Sequence, residues 1–222
     1  MISSKKLLSA DSSASIGIGS LMLFIAMVLV AGIAASVLIQ TMNTLEQQAL
    51  RTGQETRKEV SSGIAIYDIE GYAPTSGNID KMAICVRARG GSAGIDLNTT
   101  FIELTDTNYK IIIEYTAAGS DWNDSSDGVD NIFNVSCYPG APNRFGIMVL
   151  EDEDNSCTQY DPVIDSGDKV LLCLDTSQVF SSTGGINART NIWGMVIIEQ
   201  GAPGVISFRA PPTFSDNVFD LQ

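Results

Sequence analysis

Residues Gly17–Ile39 read GIGSLMLFIAMVLVAGIAASVLI, and their reading decides the architecture of the whole chain. No charged residue lies between Asp11 and Glu46. From Leu21 to Ile39 only Gly32 and Ser36 interrupt the apolar side chains. At ~1.5 Å rise per residue such a helix spans a ~30 Å hydrocarbon layer. A helix that is apolar all round must lie in lipid or among other helices. Ala26, Ala31, Gly32, Ala34, Ala35 and Ser36 let helix backbones approach closely. The expectation is a helix that starts in a membrane and ends in an assembly. A membrane anchor on an ordinary surface protein fits the same hydropathy. A simple secretory signal has a shorter apolar core, and few domains could cover so large a surface as a buried helix.

Outward from this stretch, Met1–Ala14 is a polar leader whose only cations are Lys5 and Lys6. Lysines before a hydrophobic helix hold that end in the cytoplasm, which places the following domain outside. Past Ile39, the residues Met42, Leu45, Ala49, Thr56, Val60 and Ile64 recur at helical steps, with Arg51, Glu55 and Lys58 on a solvated face. No proline occurs before Pro74. One helix is therefore predicted from about Ser20 to Ser61, ended by Ser61-Ser62-Gly63 with Gly63 near the C′ position.

Beyond it, eight short β-like runs alternate with Gly, Asn, Asp, Ser and Pro: 64–69, 81–88, 99–105, 109–116, 145–150, 169–174, 192–198 and 205–209. Met82, Ile84, Val86 and Ala88 alternate with Lys81, Ala83, Cys85 and Arg87, as in a half-buried strand. The runs 169–174 and 192–198 are nearly all apolar and read as central strands. The stretch 117–131 is polar and acidic and reads as an exposed loop. The predicted fold class is α+β: a long N-terminal hydrophobic helix followed by an Ig-like antiparallel β-sandwich.

The formal charge of −13 argues against nucleic acid or anionic lipid as a partner. With no histidine, nucleophile–His catalysis and His metal sites are excluded. No Gly-rich phosphate loop occurs and no carboxylate pair points to glycosidase chemistry, so neither an enzyme nor a cofactor is expected. Cys85, Cys137, Cys157 and Cys173 contain no C-x-x-C spacing. They allow three pairings, of which Cys137–Cys157, both in loop-like sequence, is preferred. Cys85 and Cys173 read equally well as free buried thiols. The loop Asp121–Asp130 has oxygen ligands at spacings Ca²⁺ uses, but lacks an EF-hand's glycine at position six and glutamate at twelve, so it reads as a solvated acidic loop. Glu151–Asp154 reads as a solvated turn, and no metal site is assigned. Three N-x-S/T sequons start at Asn98, Asn123 and Asn134.

Two blocks resemble the archaellins, the archaeal flagellin family. The first runs from Gly17-Ile18-Gly19 through LMLFIAMVLVAGIAASVLIQT and Leu45-Glu46-Gln47-Gln48 to Thr52-Gly53 and Val60-Ser61-Ser62-Gly63-Ile64. The second joins Ser166-Gly167-Asp168-Lys169-Val170, Leu174-Asp175 and Ala188-Arg189-Thr190 to Ile198-Glu199-Gln200-Gly201-Ala202-Pro203 and Ile206-Ser207-Phe208-Arg209-Ala210-Pro211. Residues 78–165 match no pattern.

The resemblance implies a type IV pilin-like subunit. A membrane peptidase trims its leader. The subunit then leaves the membrane for a helical homo-oligomeric filament, driven by a motor and assembly platform at its base. By analogy the cut falls between Ala14 and Ser15, although the family's usual basic residue and glycine before the cut are replaced by Ser12-Ser13-Ala14. Gly19 stands where bacterial pilins carry a glutamate. Helix-core packing falls to Gly17, Gly19, Leu21, Phe24, Met27, Val30, Gly32, Ala35 and Leu38. The expected division is residues 1–14 leader, 15–62 filament-core or transmembrane helix and 63–222 outer β-sandwich domain. The family's habitual N-glycosylation favours sugars at Asn98, Asn123 and Asn134. Rival readings are an archaeal adhesion pilin and an anchored surface-binding module.

Overall fold

A computed structural model describes residues 4–74, 77–125 and 128–222, with side chains from Ile16 onward. Helix α1 spans Ser4–Ser61. It begins well before the expected Ser20, because nothing in the Ser- and Ala-rich leader breaks a helix. The chain divides into two compact units, Met1–Gln54 and Glu55–Gln222.

The helix ends otherwise than predicted. The last backbone bond runs from the Ser62 amide to the Lys58 carbonyl, and Gly63 does not enter the left-handed region. Gly63 is needed for space instead. A Cβ there would lie 3.0 Å from Arg89 Cδ and 3.1 Å from the Ala202 carbonyl. Its amide donates to Ser92 Oγ at 3.0 Å, and Ile64 and Ala202 exchange backbone bonds across this point with Ala202 and Ser62. Gly201, at φ +116°, lets that loop pass directly over Ser62. The two blocks of sequence set far apart in the chain therefore meet at the entry to the β domain.

That domain contains β1 (Ile64–Tyr72), β2 (Asn78–Ile79), β3 (Lys81–Ala88), β4 (Ile95–Asp96), β5 (Phe101–Thr105), β6 (Lys110–Tyr115), β7 (Trp122–Asp124), β8 (Arg144–Glu151), β9 (Val163–Ile164), β10 (Lys169–Asp175), β11 (Ile186–Asn187), β12 (Asn191–Ile197), β13 (Gly204–Arg209) and β14 (Val218–Asp220), with one short helix, α2 (Thr176–Val179), after β10. The eight expected strands are β1, β3, β5, β6, β8, β10, β12 and β13. The main hydrogen-bonded path is β13-β12-β5-β6-β8-β10-β3-β1-β14. It is antiparallel except where β8 pairs in parallel with β6 and β7. The β6–β8 junction is only two residue pairs long, so the path folds there and its two halves face each other across one core. Ile102, Leu104, Ile113, Ile192, Val196 and Ile206 of one half pack with Ile64, Met82, Ile84, Val86, Ile147 and Leu172 of the other.

Two expectations need correction, and a third, the central placing of β12, holds with a difference in burial. The run 117–131 is not simply an exposed loop. Asp121 is 3 % exposed and paired with Arg144 at 3.5 Å, and Trp122–Asp124 forms β7 against β8. Strand β12 is flanked on both sides, but only alternate residues are buried, and Trp193, Met195 and Ile197 face outward. The half-buried pattern read for β3 fails at Ala83, which is buried on the side away from the main core. The cause is a second cluster, in which Phe133 and Cys137 lie over Ala83, Met148, Leu171 and Cys173. The segment that supplies it enters through a 3₁₀ turn at Ile132–Asn134, capped by the Asn131 side chain accepting from the Phe133 amide.

Candidate functional site

Ile16–Ile39 exposes every side chain, and the long helical stretch Ile16–Ser61 has none of its most apolar window buried. Leu21, Phe24, Met27, Val30 and Leu38 are each at least 60 % exposed. At ~100° per residue, Gly17, Leu21, Phe24, Gly32, Ala35 and Leu38 lie on one side of the helix, while Met27, Val30 and Gly19 fall beside and behind them. A Cβ added at Gly17, Gly19 or Gly32 meets nothing within 4 Å, so no contact inside this chain requires those glycines.

Three hydroxyls along this part of the helix are turned back onto its own backbone. Ser20 donates to the Gly17 carbonyl at 2.9 Å, Thr41 to Leu38 at 2.8 Å and Thr44 to Gln40 at 2.9 Å. The Ser20 hydroxyl is therefore satisfied whatever covers it, while Ser36 stands exposed among the apolar side chains. Ala14 and Ser15 lie within α1, but their side chains are outside the described residues.

A second apolar surface escaped the sequence reading. Trp193, Met195 and Ile197 of β12 share an outward face with Phe101 of β5, Ile112 of β6 and Val205 of β13. Glu103, paired with Lys110 at 2.7 Å, interrupts it between Met195 and Ile112. The signal was present in the nearly continuous apolar run Ile192–Ile197 of β12, which burial on one face alone does not require.

The sequons differ in access. Asn98 and Asn134 are exposed. Asn123 is half-buried in β7 and its side-chain oxygen accepts from the Ser125 hydroxyl at 2.6 Å. Of the acidic loop 121–130, Ser126 and Asp127 lie outside the described residues, and Asp121 is spent on Arg144.

Asp152 and the exposed Asp154, both in the solvated turn Glu151–Asp154, converge with the buried Asp168, one carboxylate oxygen of each lying within 4.8 Å of the others. Such an oxygen set suits a hard cation. Backbone amides already address it: Asp168 accepts from Asp165 at 2.8 Å and Glu153 at 3.4 Å, and Asp152 accepts from Ser156 and Cys157. Burial first, then Asp152 and Asp168, pushes the neighbouring Cys157 thiol up to about 12. Sequence spacing hid this group because Asp168 comes from the far side of a loop.

The expected Cys137–Cys157 pair is not formed. Cys157 packs in the main core beside the acidic group, whereas Cys137 lies in the second cluster with its Sγ 2.9 Å from Cys173 Sγ.

An archaeal-type flagellin family model matches residues 14–208. Flagellin B3 of Methanocaldococcus jannaschii is 42 % identical over 212 residues, covering 94 % of this chain and 95 % of the relative. Flagellin B5 of Pyrococcus abyssi is 40 % identical over 220 residues, covering 94 % and 98 %. The crystal structure of archaeal flagellin FlaB1 from Methanocaldococcus jannaschii superimposes with a TM-score of 0.63 at 29 % identity, covering 72 % of this chain and 97 % of that one. The archaeal flagellum of Methanospirillum hungatei strain JF1 shares the fold, with a TM-score of 0.62 at 13 % identity over 91 % of this chain and 98 % of that one.

Proposed function

The chain belongs to the archaeal-type flagellin family, and from that premise we infer how its parts serve a filament. It is a structural subunit of the archaellum, the archaeal swimming filament, and its family is not an enzyme class. It polymerises through the apolar part of α1. One observation carries this reading: the segment from Ile16 to Ile39 is apolar and exposed on every side. In water that surface is untenable. Lipid covers it in the precursor, and copies of the same helix cover it in the filament.

Exchange of lipid for protein neighbours is close to neutral in hydrophobic free energy, so close packing decides it. Gly17, Gly32 and Ala35, free of any duty inside the chain, suit that role. Head-to-tail contacts that do not close give an open helix of subunits. A leader peptidase cuts between Ala14 and Ser15, and the freed helix passes to the assembly platform and motor. The β domain faces the extracellular medium, where Asn98 and Asn134 are open to glycosylation and Asn123 is obstructed.

The test is mass spectrometry of subunits from purified surface filaments, joined to electron microscopy of the same sample. A mature chain beginning at Ser15, with α1 on the filament axis, is the expected result. An intact leader, or α1 retained in bilayer, overturns the reading. Loss of swimming on gene deletion separates this role from that of an adhesion pilin.

A further inference from the structure

We propose that Cys137 and Cys173 form a disulfide in the exported subunit, fastening the 131–140 segment to the outer face of the β8–β10–β3 sheet. Their sulfurs are 2.9 Å apart, and a bond needs an approach of only ~0.9 Å more, within reach of small side-chain rotations. Both residues are completely buried.

The approach is built into the surrounding sequence. Cys173 stands opposite Gly146 in the β10–β8 register. A Cβ at Gly146 would overlap the Cys137 carbonyl oxygen and come within 2.8 Å of the Asp121 carbonyl. The missing side chain is thus the seat on which the Cys137 backbone rests, beside Cys173. Other contacts hold the segment in the same place. Phe133 stacks on Tyr72 at 5.1 Å, Lys81 donates to the Phe133 carbonyl at 2.6 Å, and its ammonium lies 4.7 Å from the centre of the Tyr138 ring. Of the other two cysteines, Cys157 packs in the main core and Cys85 lies at the margin of this cluster, half-buried.

The chemistry is thiol–disulfide exchange with a disulfide-bearing carrier outside the cytosol, so it rests on the export reading above. The Cys137 thiolate attacks one sulfur of the carrier, forms a mixed disulfide and releases the carrier's first thiolate. The Cys173 thiolate then attacks Cys137 Sγ, forming the intrachain bond and releasing the second. Two thiols are oxidised, one carrier disulfide is reduced to two thiols, and the two protons pass to the released sulfurs. Burial holds the Cys173 thiol protonated in the folded chain, so exchange precedes closure of the segment.

Filaments identified by microscopy are dissolved in denaturant without reductant and treated with iodoacetamide. Two carbamidomethyl groups are expected, on Cys85 and Cys157, together with a linked peptide pair containing Cys137 and Cys173. Prior reduction raises the count to four. Four groups without reduction, or a link through Cys85 or Cys157, overturns the proposal while leaving the filament reading intact. The C85S/C157S variant should take no label before reduction. Filaments of C137S/C173S should show the β domain melting ~8–15 °C lower than wild type, the shift expected for a loop of this length in a domain of this size. An unchanged melting temperature also overturns it.

Discussion

Replacing Phe24 by Ala should weaken the filament without touching the fold of the subunit. Phe24 is 66 % exposed on α1 and packs against no core residue among those described. A phenylalanine buries ~200 Å² when fully covered, so about 130 Å² remains for neighbouring subunits to cover. At ~25 cal/mol per Å², less the part an alanine retains, the loss is about 2 kcal/mol per subunit. That corresponds to roughly a 30-fold rise in the dissociation constant for a subunit leaving the filament. A cavity left in the core would add to it. The assay is sedimentation of filaments across a guanidinium series, read beside tryptophan fluorescence. Both tryptophans, Trp122 and Trp193, are in β strands of the domain and report on its unfolding separately. Sedimentation should fail at lower denaturant in Phe24→Ala, with the fluorescence transition unmoved. If sedimentation holds at the wild-type midpoint, or fluorescence shifts in step with it, the assignment of this helix face to assembly is wrong.

Three further outcomes probe the β domain in the full chain. Gly146→Ala forces a methyl group into the Cys137 and Asp121 carbonyls and should cost about 2–3 kcal/mol, lowering the melting temperature by ~5–10 °C in calorimetry; a neutral result would mean that the 131–140 segment does not lie on β8. Asp168→Ala strips acceptors from the Asp165 and Glu153 amides and should destabilise by about 2 kcal/mol in denaturant titration, with a change under 0.5 kcal/mol counting against that role. Glu70→Gln tests a pH dependence. Burial, then the carboxylates of Asp68 and Asp220, raises the Glu70 pKa above its ordinary value of about 4.5. The folded chain therefore keeps this proton to higher pH than the unfolded chain. The stability it contributes is present below the unfolded value and is lost as pH rises through the folded one. Glu70→Gln should thus be the more stable protein at pH 7, by roughly 0.2–1 kcal/mol as for cross-strand like charges, and indistinguishable at pH 3 in thermal melts. A gap that persists at pH 3 refutes the charge explanation.

The helix and the eight principal strands were legible because their signals are local. An uninterrupted apolar run and a period of two each need only a short window of sequence. What escaped depended on residues meeting from afar. Strand β14 is the three residues Val218–Asp220 at a sheet edge, too short to show alternation, and it exists because β1 offers Glu70–Tyr72 for pairing. Gly63 and Gly201 look like ordinary helix-end and turn glycines, yet Gly63 serves the crossing of Ser62–Ile64 with Ala202. The preference for Cys137–Cys157 rested on both lying in loops. It missed Cys173 because a strand residue facing away from the main core is buried only when something covers it. Gly146, which admits that cover, carries no signal in a strand of apolar residues. Along α1 the reverse holds: the chemistry of the surface was fully readable, and the choice of face is not written in a helix that is apolar all round.

The inward-turned hydroxyls of Ser20, Thr41 and Thr44 have a mechanical consequence. Rods joined by directional bonds would resist shear until those bonds snapped. Rods that meet mainly through dispersion lose cohesion gradually as they slide, and regain it at the next comfortable seating. If copies of this segment build the filament core as proposed above, the fibre should yield under torque before it tears.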